Sequence, residues 1–494
     1  MTARAVVIGG GLAGITAAIA LREAGIDVTL LEARPRLGGA TSSFARGDLT
    51  VDTGQHVFLR CCTSYQELLA RLGVTGSVAL QDRFDVTVLS PGGRARLRRS
   101  ALPAPLHLGR ALLGYRFLSL PERLRVGRAA LALRAIDPAE PGLDGQRLGD
   151  WLGARGQDER TRRRLWDLFI VSSLNIDGDE ASLSLAATVL KTALLSDSGA
   201  ADIGVPAAPL GDLHGRAAGR LLERLGARVR LAAKATAVER GPAGGFRVRV
   251  TVGSDGAGGT PGRPPGAAGD AAGGRGGEVL EADGVVLAVP AVPAARLAAG
   301  AGAAGAARWD DLGTSPIVNV HVIYDRQVTD LPFAAAVGSP VQWVFDKTRT
   351  SGLQAGQYLA VSLSAADGYV DVPTAALRER FLPALGELFP AAAGARVTDF
   401  FVTRERRATF RQAPGCGALR PGATTSLPGL LLAGAWTDTG WPDTMEGAVR
   451  SGRTAAQDLI QELAGRAGRE PGGGHAAAAA RHDGISARAA GSPS

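Results

Sequence analysis

Residues 4–33, RAVVIGGGLAGITAAIALREAGIDVTLLEA, confine the chain more than any other stretch. A short apolar run, Val6 to Ile8, enters a six-residue turn containing four glycines. Ala17, Ala18, Ala20 and Leu21 then supply a helical body that ends by Gly25, and Val28 to Leu31 give a second strand. A strand, helix and strand in this order form a βαβ unit, and such units build parallel sheets. The predicted fold class is therefore α/β and Rossmann-like. Gly9, Gly11 and Gly14 stand in the G-x-G-x-x-G spacing. The first allows the tight turn, the second lets a pyrophosphate reach the backbone, and the third lets helix and strand pack closely. The helix N-terminus then faces the anion. Glu32 ends the second strand, where a carboxylate accepts hydrogen bonds from a ribose diol and repels a 2′-phosphate. The pattern predicts an adenine dinucleotide other than NADP.

With 494 residues, 45% of them apolar, the chain is long enough for two or three domains around sizeable cores. Cys61, Cys62 and Cys416 form no C-x-x-C pair and no metal spacing, so no metal site is expected and the cysteines read as reduced and cytoplasmic. No run of eighteen apolar residues is present, so a bilayer span is not expected. The formal charge is +8, and residues 94–134 hold ten Arg against one acid, Glu122. That segment, at +9, outweighs the nearly neutral remainder.

The expected domain arrangement is discontinuous. Residues 1–80, 206–300 and 406–462 are assigned to the nucleotide-binding domain, and 81–205 and 301–405 to an inserted α+β substrate and membrane-facing domain. In the latter, SPIVNVHVIYD reads as a long strand and WDLFIVSSLN as a buried helix or strand. Residues 253–277 are almost entirely Gly, Ala, Pro and Asp, and 465–494 are similar; neither composition repays the entropy of ordering, so both are predicted to be disordered.

Arg34, Arg36, Gly38 and Gly39 follow Glu32 as a second glycine turn with cationic neighbours, and VDTGQH comes soon after. Near the other end, GAWTDTGWPDTMEGAVRSG (434–452) follows an apolar strand and opens a helix, with Pro442 and Asp443 or Thr444 as its start residues. Together these stretches resemble the flavin amine oxidases and phytoene-type desaturases. The resemblance implies FAD, with the 434–452 junction at the isoalloxazine and ribityl groups, the backbone of Met445 at the flavin edge and the backbone of Val238 at the adenine. A helix N-terminus there stabilises the anionic edge of a reduced flavin by about 0.3–2 kcal/mol. The family usually carries an acid after Gly434, where this chain has Ala435; Asp438 is the candidate replacement. No second G-x-G-x-x-G unit occurs, so electrons are expected to pass to or from an outside partner.

Four stretches, VDTGQHVFLRCCTSY, LNIDGDEASLSLAATVLK, SPIVNVHVIYDRQV and AWTDTGWPDTMEGAVRSGRTAA, are most similar to the hydroxysqualene dehydroxylases of hopanoid synthesis. The resemblance implies replacement of a hydroxyl by hydrogen on a C30 isoprenoid, which needs hydride and an acid at the departing oxygen. Asp438, Asp443 and His56 are the candidate acids. Carotenoid desaturation or isomerisation, and amine oxidation, are the competing chemistries. For the latter Cys416 is the one positional candidate for a flavin link, and is expected to be a structural loop residue. A flavin-free isoprenoid escort protein is the non-enzymatic alternative. The Arg-rich segment 94–134, with Leu, Tyr and Phe among its cations and a Ser119–Glu122 capping box, is expected to meet a membrane surface. No nucleic acid partner is expected, since the basic stretch carries no recognised binding motif.

Overall fold

The computed structural model describes residues 2–242, 244–252 and 277–467. The predicted disorder at 253–277 and in the tail falls almost wholly outside these residues. The last helix, however, runs to Ala467, into the segment assigned to the tail.

The strands β1 (Arg4–Ile8), β2 (Asp27–Leu31), β3 (Arg228–Arg230), β4 (Gly284–Leu287) and β5 (Leu430–Leu432) form one sheet in the order β3-β2-β1-β4-β5. Every pairing in it is parallel. Parallel strands need cover on both faces, which is why β4 and β5 read as the unbroken runs GVVL and LLL. Alternation assigns the faces. Val7, Leu30, Val286 and Leu431 turn toward helix α1 (Leu12–Glu23) and the last helix, α2 (Met445–Ala467). Ile8, Leu31, Leu287 and Leu432 turn the other way, into a core shared with the antiparallel strands Ala233–Arg240, Phe246–Val252 and Glu278–Ala282.

A second, seven-stranded sheet joins residues from two distant parts of the chain. Strands Asp85–Ser90 and Gly93–Arg98 sit at one edge, beside five strands between Ser315 and Thr409. Val318, Val320 and Val322 pack against helix Thr374–Leu388 on one face. The other face carries Ile323, Tyr358 and Phe401 against Val51. The stretch WDLFIVSSLN is resolved as helix Asp167–Leu174, with Ile170 and Leu174 buried one turn apart and Ser172 between them exposed.

Among the described residues no helix is long and apolar enough to cross a membrane, and no group of three His, Cys, Asp or Glu side chains is placed to hold a metal ion.

Candidate FAD site

All the cofactor motifs meet at the carboxyl ends of the parallel strands, where ligands bind in open α/β sheets. Gly9 has φ +112°, and a Cβ there would stand 2.2 Å from the Ala288 carbonyl oxygen beyond β4. At Gly14 a Cβ would lie 1.9 Å from the Gly9 carbonyl, so helix α1 could not approach the turn. Gly11 differs: its nearest neighbour is the Cα of Gly39, at 3.9 Å. The space over Gly11 is therefore open between two glycine turns. The second turn is tied to the first by Gly38 N–H donating to the Gly10 carbonyl at 2.8 Å. Glu32 is buried and accepts from Gly10 N–H at 2.7 Å and Arg34 N–H at 2.8 Å. Two accepted bonds leave half of a carboxylate's acceptor capacity for a diol. The Arg34 side chain is exposed at the rim.

The C-terminal junction reaches the same place. β5 lies two strands from β1, about 10 Å away. Helix α2 crosses α1 so closely that a Cβ on Gly452 would stand 2.1 Å from the Ala13 carbonyl. Gly434, with φ +146°, donates its N–H to Ser451 Oγ at 2.8 Å, tying the exit of β5 to α2. Of the two candidate start residues, Thr444 caps the helix, accepting from Gly447 N–H at 3.2 Å. Among the described residues nothing accepts from the N–H of Met445, so the first turn keeps a donor free. Asp443 is instead turned back: it is half-buried, accepts from Phe410 N–H at 3.0 Å, and its carboxyl is pushed up to about 6 by desolvation.

One predicted side chain does not join this group. Asp438 is exposed and accepts from Gly440 N–H at 3.2 Å in a local turn, so it does not stand in for the acid missing at Ala435. Val238 is fully buried in the strand that leaves the Glu32 neighbourhood at Ala233. The contact expected of Val238 is made by its backbone, while its side chain packs into the core.

Other parts of the site carried no local signal. Arg420 is buried and donates to the carbonyls of Ala435, Thr437 and Trp441, holding the 435–441 loop from inside. Burial lowers its pKa, opposed by Asp438 and Asp443. Gly10 has ordinary φ, yet a Cβ there would meet Leu37 at 2.6 Å. Glu446 in the first turn of α2 accepts from the Ser64 and Tyr65 N–H groups, pinning the helix Thr63–Leu72 to it. Lys347 Nζ pairs with Asp52 Oδ2 at 2.8 Å, the two side chains 12% and 3% exposed. Composition holds the clue to this one. The chain has three lysines among 55 basic residues, and of these Lys347 is the one in a buried ion pair.

His56 lies near this pair; burial holds its pKa below the ordinary histidine range, and its Nδ1 is buried with no hydrogen-bond partner among the described residues. His321 donates or accepts between Tyr358 OH (2.7 Å) and Thr403 Oγ1 (3.1 Å), stacked 4.4 Å from Phe401, and desolvation pushes it down to about 3. Cys416 is buried, with its thiol pushed up to about 12 by burial, and so stays protonated and unreactive.

An open glycine groove, a ribose acceptor with spare capacity, a helix tip with a free donor and an orphaned imidazole nitrogen all fit one FAD laid across the strand ends. This crevice defines an FAD-dependent oxidoreductase. The sequence model described as flavin containing amine oxidoreductase matches residues 12–460, and the chain belongs to that family. Hydroxysqualene dehydroxylase of Rhodopseudomonas palustris is 31% identical over 93% of this chain and 99% of its own length. That of Sinorhizobium fredii is 29% identical over 92% and 98%. The 15-cis-phytoene desaturase of Narcissus pseudonarcissus is 24% identical over 92% of this chain and 79% of its own. Among solved structures, cyclohexylamine oxidase from Brevibacterium oxydans shares the fold with a TM-score of 0.66, at 20% identity, covering 94% of this chain and 100% of that one.

Proposed function

We propose that this flavoenzyme reduces hydroxysqualene to squalene. The observation that carries the reading is the likeness, along nearly the whole length of both chains, to two hydroxysqualene dehydroxylases. Bound reduced FAD supplies hydride. In the balanced reaction the substrate's C–O bond breaks, a C–H bond forms, and the departing oxygen takes a proton and leaves as water.

Asp443 is the side chain suited to give that proton. Among the three candidate acids it alone combines a carboxyl pushed up to about 6 with a place just before the helix tip. Asp438 faces solvent, and His56 is held neutral by burial. A positioned acid contributes about 10²–10⁴ in rate. The two electrons come from an external donor, since the nucleotide-binding sheet is already committed to one dinucleotide. Phytoene-type desaturation is the alternative that the carotenoid desaturase relatives support.

The test is anaerobic incubation of photoreduced enzyme with hydroxysqualene, with products identified. Squalene is expected. Unchanged hydroxysqualene, together with dehydrogenated phytoene from the oxidised enzyme, would overturn the assignment. Asp443→Asn is expected to lower the rate of squalene formation while leaving flavin content unchanged.

A further inference from the structure

The Arg-rich segment does more than concentrate charge. Of the nine large apolar side chains that stand exposed among the described residues, six lie between residues 102 and 131: Leu102, Leu106, Leu113, Leu120, Leu124 and Leu131, each 52–61% exposed. Three of them sit on helix Leu120–Ala135. At about 100° per residue, Leu120, Leu124 and Leu131 fall within about 40° of one another. The buried residues of that helix, Glu122, Val126, Ala129 and Leu133, occupy the opposite side. The leucines therefore form a crest pointing away from the protein.

Arg123 and Arg134 flank the crest on one side and Arg128 on the other. Among the described residues none of the three has an acidic partner. Arg123 donates to the carbonyls of Leu118 and Leu113, which leaves its charge unneutralised. Glu122, the segment's one acid, is buried in the capping box and paired with Arg160. The helix is also firmly held. Tyr115, just ahead of it, is fully buried and donates to the Arg164 carbonyl at 2.6 Å, and the capping box fixes its start. Exposure of the leucines is thus a property of a fixed surface rather than of a loose end.

We infer that this face docks on a bilayer bearing anionic phospholipid headgroups. Leu120, Leu124 and Leu131 enter the headgroup–acyl boundary, and the flanking arginines meet phosphates. An apolar crest between cations is the arrangement that lies in a membrane interface. A second copy of the chain fits poorly, because a two-fold contact through this patch would set arginines against arginines. Nucleic acid would meet the leucines before it met the cations. The inference concerns how the protein reaches lipid and stands whichever isoprenoid the site accepts.

Co-sedimentation of the flavin-loaded full chain with vesicles tests it. Binding is expected to phosphatidylcholine vesicles containing phosphatidylglycerol, weaker to phosphatidylcholine alone, and to fall as salt rises. Leu124→Asp with Leu131→Asp should weaken binding more than about tenfold, since apolar burial drives insertion. Each of Arg123→Gln, Arg128→Gln and Arg134→Gln should weaken it up to about fivefold on anionic vesicles. Leu231→Asp, at an exposed leucine elsewhere, should leave it unchanged, with flavin absorbance and melting temperature reporting intact folding in every variant. The inference fails if the leucine pair binds as the parent does, if neutral and anionic vesicles bind equally, or if the parent is a dimer that Leu124→Asp converts to monomer.

Discussion

The two ends of the cofactor site are built in opposite ways. The end expected to hold the diphosphate is made of neighbours in sequence: Gly9 to Gly14, Glu32, and Gly38 with Gly39, closed by backbone contacts of a few ångströms. The end expected to hold the ring is made of strangers. Arg420 grips the 435–441 loop, Phe410 holds Asp443, and Lys347 reaches back to Asp52 across almost 300 positions. Steric need for glycine writes itself into a short pattern, whereas satisfaction of a buried charge can be met from anywhere the chain returns. The first kind of site tolerates no added atom. The second tolerates no unpaired one.

That contrast can be broken by substitution. Lys347→Met leaves Asp52 buried with its ammonium partner gone, and is expected to destabilise the fold by about 3–5 kcal/mol. Adding Asp52→Asn to it should recover part of the loss. Denaturant unfolding measures both, and a double variant no better than the single would show that the pair is not the source of the effect. Gly14→Ala, at the other end, forces helix α1 off the turn. It should cost about 1–3 kcal/mol and abolish the flavin absorbance of the purified protein.

Glu32→Gln sharpens the comparison without adding volume. It weakens the charge-assisted bonds to Gly10 and Arg34, so FAD affinity should fall roughly tenfold while the apoprotein stays folded, as read by flavin titration.

The smallest effect depends on pH. Because the carboxyl of Asp443 is pushed up to about 6, its native state binds a proton that the unfolded chain has lost. Its contribution to stability is present below the ordinary carboxylate range and fades as pH rises through about 6. Relative to Asp443→Asn, the flavin-free parent should therefore gain about 1–2 kcal/mol between pH 7 and pH 4. Equal pH profiles for parent and variant would place this carboxyl in water and remove the case for it as the proton donor.

How much was legible follows the same division. The βαβ unit, the second glycine turn and the long strand Ser315–Tyr324 were readable because each is fixed by periodicity or by a local steric rule. The Ser119–Glu122 capping box was readable for the same reason, both its bonds lying within one turn. Asp438 misled because a motif gives position along the chain and not the direction in which a side chain is turned. The carboxylate of Asp438 closes its own small turn. Arg420 was invisible: one Arg in RQAPGCGALRPG looks like any other until the carbonyls it satisfies are brought around it. Likewise the charge of segment 94–134 was plain in composition, but the outward crest of leucines emerged only once the capping box and Tyr115 had fixed which side of the helix is buried.

By itself, then, the sequence determined that a parallel sheet would present a dinucleotide to a glycine turn, because backbone clearance at Gly9 and Gly14 admits no other residue. Tertiary structure decided the rest: which carboxyl is pushed up beside the helix tip, which cation is sealed inside with its counterion, and which face of the Arg-rich helix is left bare. Those outcomes, the raised carboxyl among them, depend on desolvation and on distant partners, and neither exists until the chain has folded.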